Sequence, residues 1–262
     1  MQILYPEGRK KALTFSYDDG QIFDRKLVEI FNRYQVKATF HLNSAVLDHE
    51  GFITKKEVRT LYAGHEIACH SATHPYFTQL SKEQMINEIW KDRRCLEELA
   101  EYPVVGFSYP FGDYSEDIIS TLESLGIEYC RTVESHHGFQ VPARFMTWNP
   151  TCHHNEDLSK RADTFLNWPD FFKLPLFYVW GHSFEFARQN NWEVIEDFCK
   201  KVSGRDEIWY ATNLQIKRYL SAVRSLVYTA DETMVYNPTA VSVWAEINGK
   251  VTELLPGHTY KL

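Results

Sequence analysis

The chain has 262 residues, of which 44% are hydrophobic and 24% charged, and its formal net charge is -7. This composition is typical of a folded globular protein and argues against extensive disorder. The acidic balance argues against broad binding of nucleic acid or of an anionic membrane surface, because both need a basic protein face. The length allows one large domain, or a large domain and a small one.

The cysteines are odd in number, widely spaced and without a CxxC pair; they are Cys69, Cys95, Cys130, Cys152 and Cys199. Such a set predicts unpaired thiols in a reducing compartment. Residues 1–15 show no apolar run behind a basic start, and no apolar stretch reaches the roughly 20 residues of a membrane span. The sequence as given therefore predicts a cytoplasmic protein with no membrane partner.

Strand and helix patterns alternate over about the first 220 residues. The predicted strands are 12–17, 36–43, 65–70, 104–109, 127–133, 176–180 and 207–211. The predicted helices are 21–34, 55–63, 81–101, 115–125, 191–202 and 213–222. Ser81 and Gln84 form a capping box before the longest helix. Seven strands, mostly followed by helices, imply an α/β fold with a parallel sheet, which is either open or closed into a barrel.

Two regions depart from this alternation. Residues 136–170 form a less regular stretch before the sixth strand. Residues 235–262 contain short β-rich runs, and the Asn248-Gly249 pair between two of them predicts a hairpin. We therefore predict a main domain at residues 1–224 and a small β-rich C-terminal extension at residues 225–262.

Residues with reactive side chains follow several predicted strands. They are Asp18 and Asp19 after the first strand, His70 and His74 after the third, Tyr109 to Gly112 after the fourth, Arg131 on the fifth and His182 after the sixth. The carboxyl ends of parallel strands meet at one rim, so these residues are expected to lie close together. Two histidines and one aspartate give three protein ligands, the usual number at a catalytic metal site.

Taken singly, these features have ordinary structural explanations, since an Asp-Asp-Gly turn is usually solvated. Their combination is more specific. The segments TFSYDDG (14–20), HSATH (70–74), YPFG (109–112) and WGH (180–182) occur in this order and resemble the polysaccharide deacetylase family, also called the NodB-homology or carbohydrate esterase family 4 domain. The resemblance covers roughly residues 10–220. It implies a distorted (β/α) barrel of about seven parallel strands, here with a small C-terminal β appendage.

The resemblance also implies a metal site. Asp19, His70 and His74 would bind a divalent ion, for which Zn²⁺ is the usual choice in the family. The ion would polarise an acetyl carbonyl and activate water for attack.

Acid–base roles follow from the same resemblance. Asp18 would be the general base, and His182 would be the general acid that protonates the leaving group. The backbone N–H of Phe111 would help to bind the oxyanion. The implied reaction removes an acetyl group from an N- or O-acetylated sugar or oligosaccharide.

Two positions differ from the family pattern. The family has an arginine two residues before the proline of its third motif, where it pairs with the base, and this chain has Ser108. We predict that Arg131 replaces it, because Arg131 leaves the next strand at the same rim, with Arg144 as the alternative. Trp180 stands where the family has a leucine, and the family's Asp-x-x-Asp-Trp motif is not clearly present.

The predicted substrate-binding residues are Tyr109, Trp148 and His154. The last two belong to the irregular stretch, which we interpret as a loop facing the substrate. Glu185, which follows His182 closely, could orient a residue of the rim or simply be solvated.

Two alternative functions stay open. The same scaffold could hydrolyse another non-peptide C–N bond, in a cyclic amide or a formamide, and the missing arginine makes this reasonable. A non-catalytic carbohydrate-binding protein would be expected to lack the base, the acid or a metal ligand, and all five residues are present. The sequence does not indicate the oligomeric state.

Overall fold

The computed structural model describes residues 1–169, 171 and 173–262. The predicted irregular stretch ends on Asp170, which lies outside the described residues. The strands are β1 (Gln2–Leu4), β2 (Lys11–Asp19), β3 (Ala38–Leu42), β4 (Glu66–Cys69), β5 (Gly106–Ser108), β6 (Tyr129–Arg131), β7 (Cys152–His153), β8 (Leu176–His182), β9 (Ile208–Tyr210), β10 (Val227–Tyr228), β11 (Met234–Tyr236), β12 (Val243–Ile247), β13 (Lys250–Leu254) and β14 (Thr259–Lys261). The helices are α1 (Asp24–Arg33), α2 (Lys55–Leu61), α3 (Lys82–Ala100), α4 (Glu116–Ser124), α5 (Leu158–Leu166), α6 (Ser183–Gln189), α7 (Glu193–Val202) and α8 (Asn213–Arg224).

Eight strands form one parallel sheet in the order β6-β5-β4-β3-β2-β8-β7, and β9 also pairs with β2. β8 follows one edge of β2 over Ala12 to Asp18. The other edge is shared, with β9 along Lys11 to Leu13 and β3 along Phe15 to Asp19. The sheet curls into a distorted barrel, which confirms the predicted fold class.

Backbone hydrogen bonds of the segment before β7 connect β6, at one edge of the curled sheet, to β8 near the other edge. The Trp148 N–H donates to the Cys130 carbonyl of β6 at 2.9 Å, and the Thr151 N–H donates to the Tyr178 carbonyl of β8 at 2.8 Å. The segment between Trp148 and Thr151 therefore closes the gap between β6 and β8.

The parallel register determines which residues meet at the carboxyl-end rim. Asp18 on the central strand β2 is opposite His182 on β8 and opposite His41 on β3. Ser108 on β5 is opposite Arg131 on β6. Because the strands run in the same direction, their last residues form one ring of side chains around the open end of the barrel.

The outer helices follow from their caps and apolar faces. In α3 the Ser81 side chain accepts the Gln84 N–H while the Gln84 side chain accepts the Ser81 N–H, as the sequence predicts. Met85, Ile89 and Leu96 are buried on the inner face of this helix. Their spacing of three to four residues, or multiples of it, is that of one helical face.

All seven predicted strands are present, but four short elements before the C-terminal extension were not predicted. They are β1 near the start of the chain, β7 and α5, both inside the irregular stretch, and α6, which begins directly after β8. β7 has only two residues, too few for an alternating pattern. α6 has seven residues, and its start overlaps the end of a strand, so no separate periodic signal exists for it.

The C-terminal extension forms two antiparallel three-stranded sheets, β1-β12-β13 and β10-β11-β14. Asn248 and Gly249 both adopt positive φ, 52° and 77°, in the two-residue turn between β12 and β13, which is the predicted hairpin. β1 pairs with β12, so the first strand of the chain lies in this appendage. The Tyr219 hydroxyl of α8 donates to the Leu4 carbonyl and accepts the Trp244 N–H. The division at residue 224 coincides with the end of α8 and stays a prediction.

The five cysteines are unpaired thiols, and four of them are buried. Across the described ranges, none of the helices combines the length and apolar character needed to cross a membrane.

Candidate active site

The three predicted metal ligands converge at the rim. One ligand atom from each residue lies within 4.8 Å of the others. Asp19 Oδ1 is 3.7 Å from His70 Nε2 and 4.0 Å from His74 Nε2. His70 Nδ1 donates to the Ser108 carbonyl oxygen at 2.8 Å, which leaves the Nε2 lone pair for an ion. Two imidazoles and a carboxylate are donors that suit zinc and similar divalent ions, so these residues fit the metal that the family resemblance implies.

The backbone around these ligands is strained. Asp19, His74 and Phe111 have φ values of 80°, 57° and 59°, in the left-handed region that non-glycine residues rarely adopt. Residues in such conformations concentrate at functional sites, where the surrounding structure holds them in place. Here the Ser71 hydroxyl accepts the His74 N–H at 3.1 Å and stabilises the left-handed conformation of His74.

Asp18 is a buried carboxylate held by a cation. The Arg131 guanidinium donates through Nη2 to Oδ2, and the Ser108 hydroxyl donates to Oδ1 at 3.3 Å. Burial alone would raise the pKa of Asp18. The charge of Arg131, helped by the neighbouring His70, outweighs burial and holds that pKa well below its usual range. Asp18 is therefore ionised and able to accept a proton.

Arg131, and not Arg144, reaches Asp18. Arg131 is fully buried, its guanidinium lies 4.3 Å above the ring of Trp180, and Nη1 donates to the Thr132 carbonyl at 3.0 Å. Arg144 instead pairs with a surface glutamate at 2.9 Å. The two departures from the family pattern, Ser108 and Trp180, are both next to Arg131. Ser108 lies opposite Arg131 and has a short side chain, and the ring of Trp180 packs on the guanidinium.

His182 ends β8 next to Asp18. Its Nδ1 donates to Glu185 Oε1 at 3.3 Å, and its side chain is 23% exposed. Burial lowers the pKa of His182, but the hydrogen bond to Glu185 and the charges of Asp18 and Asp19 outweigh it and raise the pKa above its ordinary value. The imidazole can therefore carry a proton at the rim, and Glu185 is the group that orients it.

The residues predicted to bind substrate lie behind the rim. Tyr109 is fully buried, and its hydroxyl donates to the Met146 carbonyl at 2.9 Å. Trp148 and His154 are each only 1% exposed. These three side chains pack the core instead of making the predicted substrate contacts, because the stretch that contains the last two closes the barrel and does not project from it.

An exposed aromatic pair at the rim was not predicted. Tyr76 and Phe111 stack with ring centroids 3.9 Å apart and are 46% and 51% exposed. The Phe111 ring also meets His74 edge-on at 4.4 Å. The sequence position of Tyr76 could have indicated it, since Tyr76 follows His74, the last residue of the HxxxH segment, by only two residues. Exposed aromatic surface beside reactive groups is typical of a binding surface.

Asp92 of α3 is a second residue that sequence reasoning missed. Its carboxylate accepts the backbone N–H of His70 at 3.0 Å and that of Ser44 at 2.8 Å. Burial raises the pKa of Asp92 to about 7, and its hydrogen bonds only partly offset this. Asp92 therefore holds the segment that carries His70 without touching the rim itself.

The family model described as "Polysaccharide deacetylase" matches residues 6–130. A curated relative, the peptidoglycan-N-acetylglucosamine deacetylase PgdA of Listeria monocytogenes, is 27% identical over 112 residues, which are 42% of this chain and 23% of that protein. The matched part is thus less than a quarter of the relative. The range that the family model matches includes Asp18, Asp19, His70 and His74, so the comparison confirms the resemblance of this part of the chain to the polysaccharide deacetylase family.

Solved structures share the fold. A candidate polysaccharide deacetylase from Mycobacterium smegmatis matches with a TM-score of 0.63 and 18% identity, covering 86% of this chain and 95% of the other. A PuuE allantoinase matches with a TM-score of 0.64 and 13% identity, covering 82% and 91%. At these identities the likeness concerns the fold alone, and the two scores do not separate one activity from the other.

Proposed function

We propose that the chain is a metal-dependent hydrolase that removes an acetyl group from an N- or O-acetylated sugar or oligosaccharide. One observation carries the proposal: a buried carboxylate ion-paired to Arg131 lies beside a His-His-Asp ligand set and opposite a histidine at the same rim. This arrangement combines a base, an acid and a cation site, which are the groups that hydrolysis of an unactivated acyl bond needs. Residues 1–224 would form the catalytic domain, with residues 225–262 as its extension.

Asp18 would act as the general base. Its pairing with Arg131 keeps it ionised, and Oδ2 lies 3.7 Å from His70 Nε2, so the carboxylate is close to the ligand set. A divalent ion held by Asp19, His70 and His74, with Zn²⁺ the first choice, would supply Lewis-acid polarisation of the acyl carbonyl. Asp18 would take the proton of the attacking water in that position.

His182 would act as the general acid. Glu185 engages its Nδ1, so Nε2 is the nitrogen from which a proton passes to the departing amine or alkoxide. The oxyanion would accept the Phe111 N–H. The backbone hydrogen bonds of that turn use the N–H groups of Gly112 and Asp113, and within the part of the chain that the structure describes none uses that of Phe111. One such donor can contribute about 3 kcal/mol to transition-state stabilisation.

Tyr76 and Phe111 would contact the sugar. Their stacked, exposed rings lie against His74 and present an apolar face next to the ligand set. Sugar rings have apolar faces of similar size, which can pack on such a pair. The name of the Listeria relative includes N-acetylglucosamine, which supports acetylated amino sugars as the first substrates to test.

The test is acetate release by the zinc-loaded protein from N-acetylglucosamine oligomers and from acetylated xylose oligomers. We expect acetate from at least one class. Asp18→Asn should abolish release while zinc stays bound, whereas His74→Ala should lose zinc. A near-normal rate in Asp18→Asn would show that the assigned base is wrong.

A cyclic amide and a formamide belong in the same assay. If zinc is bound and no acetate is released, but one of these compounds is hydrolysed, the proposal of carbohydrate deacetylation fails. Hydrolysis of another C–N bond would then replace it.

A further inference from the structure

A second group of two imidazoles and one carboxylate lies outside the residues assigned to the reaction. His153 ends β7, His154 follows it, and Glu185 is in the first turn of α6. Glu185 Oε2 is 3.1 Å from His153 Nε2 and 2.9 Å from His154 Nε2, and the three ligand atoms lie within 4.8 Å of one another. In a tetrahedral zinc site, two ligand atoms that are each 2.0–2.1 Å from the ion lie about 3.3 Å from one another. The distances at Glu185 are close to this value, and they are shorter than the 3.7 and 4.0 Å within the Asp19–His70–His74 set.

These are contacts at ion-pair distance, but their angles do not meet hydrogen-bond geometry. Among the residues that the structure describes, neither nitrogen of His154 nor Glu185 Oε2 has a hydrogen-bond partner with acceptable geometry, and all three atoms are buried. Leaving a buried polar atom unpaired costs about 1–3 kcal/mol. A cation between these atoms would satisfy His154 Nε2 and Glu185 Oε2 together.

Packing holds the His154 ring in this orientation. The ring stacks on Phe186 at 4.1 Å and on Tyr17 at 5.7 Å between centroids. A Cβ atom at position 181 would lie 2.0 Å from His154 Nδ1, so only glycine there leaves room for the ring. A ligand fixed by its neighbours before the ion arrives is the arrangement expected of a preformed site.

We propose that His153, His154 and Glu185 form a second divalent-metal site, of zinc type, beside His182. Two neutral imidazoles and a carboxylate favour Zn²⁺ or Co²⁺ over Mg²⁺ or Ca²⁺, which prefer oxygen ligands. Glu185 joins the two centres, because Oε2 faces the cluster while Oε1 accepts the His182 Nδ1–H at 3.3 Å. An ion at this site would fix the carboxylate that orients His182.

The experiment counts ions. Wild-type protein is equilibrated with Zn²⁺, dialysed, and analysed for zinc per chain by mass spectrometry, and a parallel titration follows Co²⁺ by its visible absorption. We expect two ions per chain in the wild type and one in each of His153→Ala and Glu185→Gln. In these variants Co²⁺ binding at the second site should weaken at least about 10-fold, since losing a ligand costs at least as much as losing an outer-shell partner. His74→Ala should also bind one ion, at the other site.

His137→Ala is the matched control. His137 Nδ1 lies 3.2 Å from Glu156 Oε2, so it is also an imidazole beside a carboxylate, but it is exposed and has no place in the cluster. It should keep both ions. His153 is partly exposed and Glu185→Gln preserves shape, so at least one of the two site variants is expected to fold, which circular dichroism checks.

A single wild-type ion that is lost in His74→Ala but kept in His153→Ala and Glu185→Gln, or a second ion that survives both His153→Ala and Glu185→Gln, would overturn the proposal. The ion count does not use acetate release, so it stays interpretable if the proposed activity fails.

Discussion

Two buried aspartates six residues apart have opposite surroundings. Asp18 faces the guanidinium of Arg131, whereas Asp24 accepts hydrogen bonds from the hydroxyls of Tyr62 at 2.6 Å and Ser183 at 2.5 Å. Burial raises the pKa of Asp24 to about 7, and the two hydroxyls only partly offset it. At Asp18 the cation outweighs burial, and the pKa lies well below the usual range. The nature of the partner, not the depth of burial, therefore decides which carboxylate is ionised.

The difference in ionisation between Asp18 and Asp24 matches the role of each residue. Asp24 connects the start of α1 to α6 and to the residue after α2, so it ties elements together beneath the rim. A structural role needs hydrogen bonds but no charge. The proposed base needs a charge, and a buried charge requires a formal counter-charge because neutral donors rarely repay its desolvation.

Removing the cation should have the largest effect. Arg131→Met leaves the Asp18 charge buried without a partner, which typically costs about 3–5 kcal/mol of unfolding free energy. We expect that loss in urea unfolding, together with loss of acetate release. Arg144→Met, which removes an exposed arginine, should change stability by less than about 1 kcal/mol. Equal effects of the two substitutions would show that the Asp18 pair is not the stabilising contact that the comparison requires.

The position of that cation could be predicted from the sequence, for a geometric reason. Arg131 and Asp18 come from strands whose order and direction follow from the alternating pattern, and parallel strands end at one rim. The same reasoning explains why the proposed metal ligands and His182 could be expected at this rim, since each lies at the carboxyl end of a strand or a few residues beyond it. Asp24 was not singled out, because nothing in a helix start such as FDRKL distinguishes a buried carboxylate from an exposed one.

Other features depend on tertiary contacts that leave no local pattern. Trp148 and His154 have the composition of a substrate loop, yet their segment closes the barrel and buries them. β1 pairs with β12 from the far end of the chain, so its partner cannot be read from neighbouring residues. The left-handed conformation of Asp19 at the end of β2 likewise leaves no local pattern, since aspartate adopts this conformation only occasionally.

The pH dependence of stability offers a second test of the comparison. The pKa of Asp24 is about 7 in the folded state, above its unfolded value of about 3.9. The protonated carboxyl therefore stabilises the fold fully below pH 4, and this contribution is lost as the pH rises through 7. Asp18, whose pKa is lowered, has the opposite sign and contributes stability that is lost as the pH falls.

Asp24→Asn should remove the loss of stability that the ionisation of Asp24 causes as the pH rises through 7. Relative to wild type, its unfolding free energy should rise between pH 4 and pH 8 by up to about 4 kcal/mol. Urea unfolding at four pH values measures the difference, with Asp206→Asn as an exposed control. A difference that does not change with pH would mean that Asp24 is ionised in the folded protein, and the contrast with Asp18 would then fail.

Returning the cation to the family position tests the link between Ser108 and Arg131. The double variant Ser108→Arg/Arg131→Met should recover acetate release at least about tenfold over Arg131→Met, because residues that share one partner couple by about 0.5–3 kcal/mol. Ser108→Arg alone should lower activity, since two guanidinium groups would compete for Asp18. Additive losses in the double variant would instead show that the native position of the charge, and not merely its presence, is required.

The smallest effect concerns the hydroxyl groups. Tyr62→Phe removes one donor to Asp24, and we expect a loss of about 1 kcal/mol in unfolding free energy. That donor favours the ionised form, so its loss should raise the pKa of Asp24 further and shift the pH-dependent fall in stability to higher pH. Ser108→Ala removes a hydroxyl from Asp18, where the Arg131 charge remains, so its effect on stability should vary less with pH. If Ser108→Ala changes the pH dependence of the unfolding free energy as much as Tyr62→Phe does, the hydroxyl donors contribute equally at Asp18 and Asp24. The charge of Arg131 would then not explain the difference between the two carboxylates.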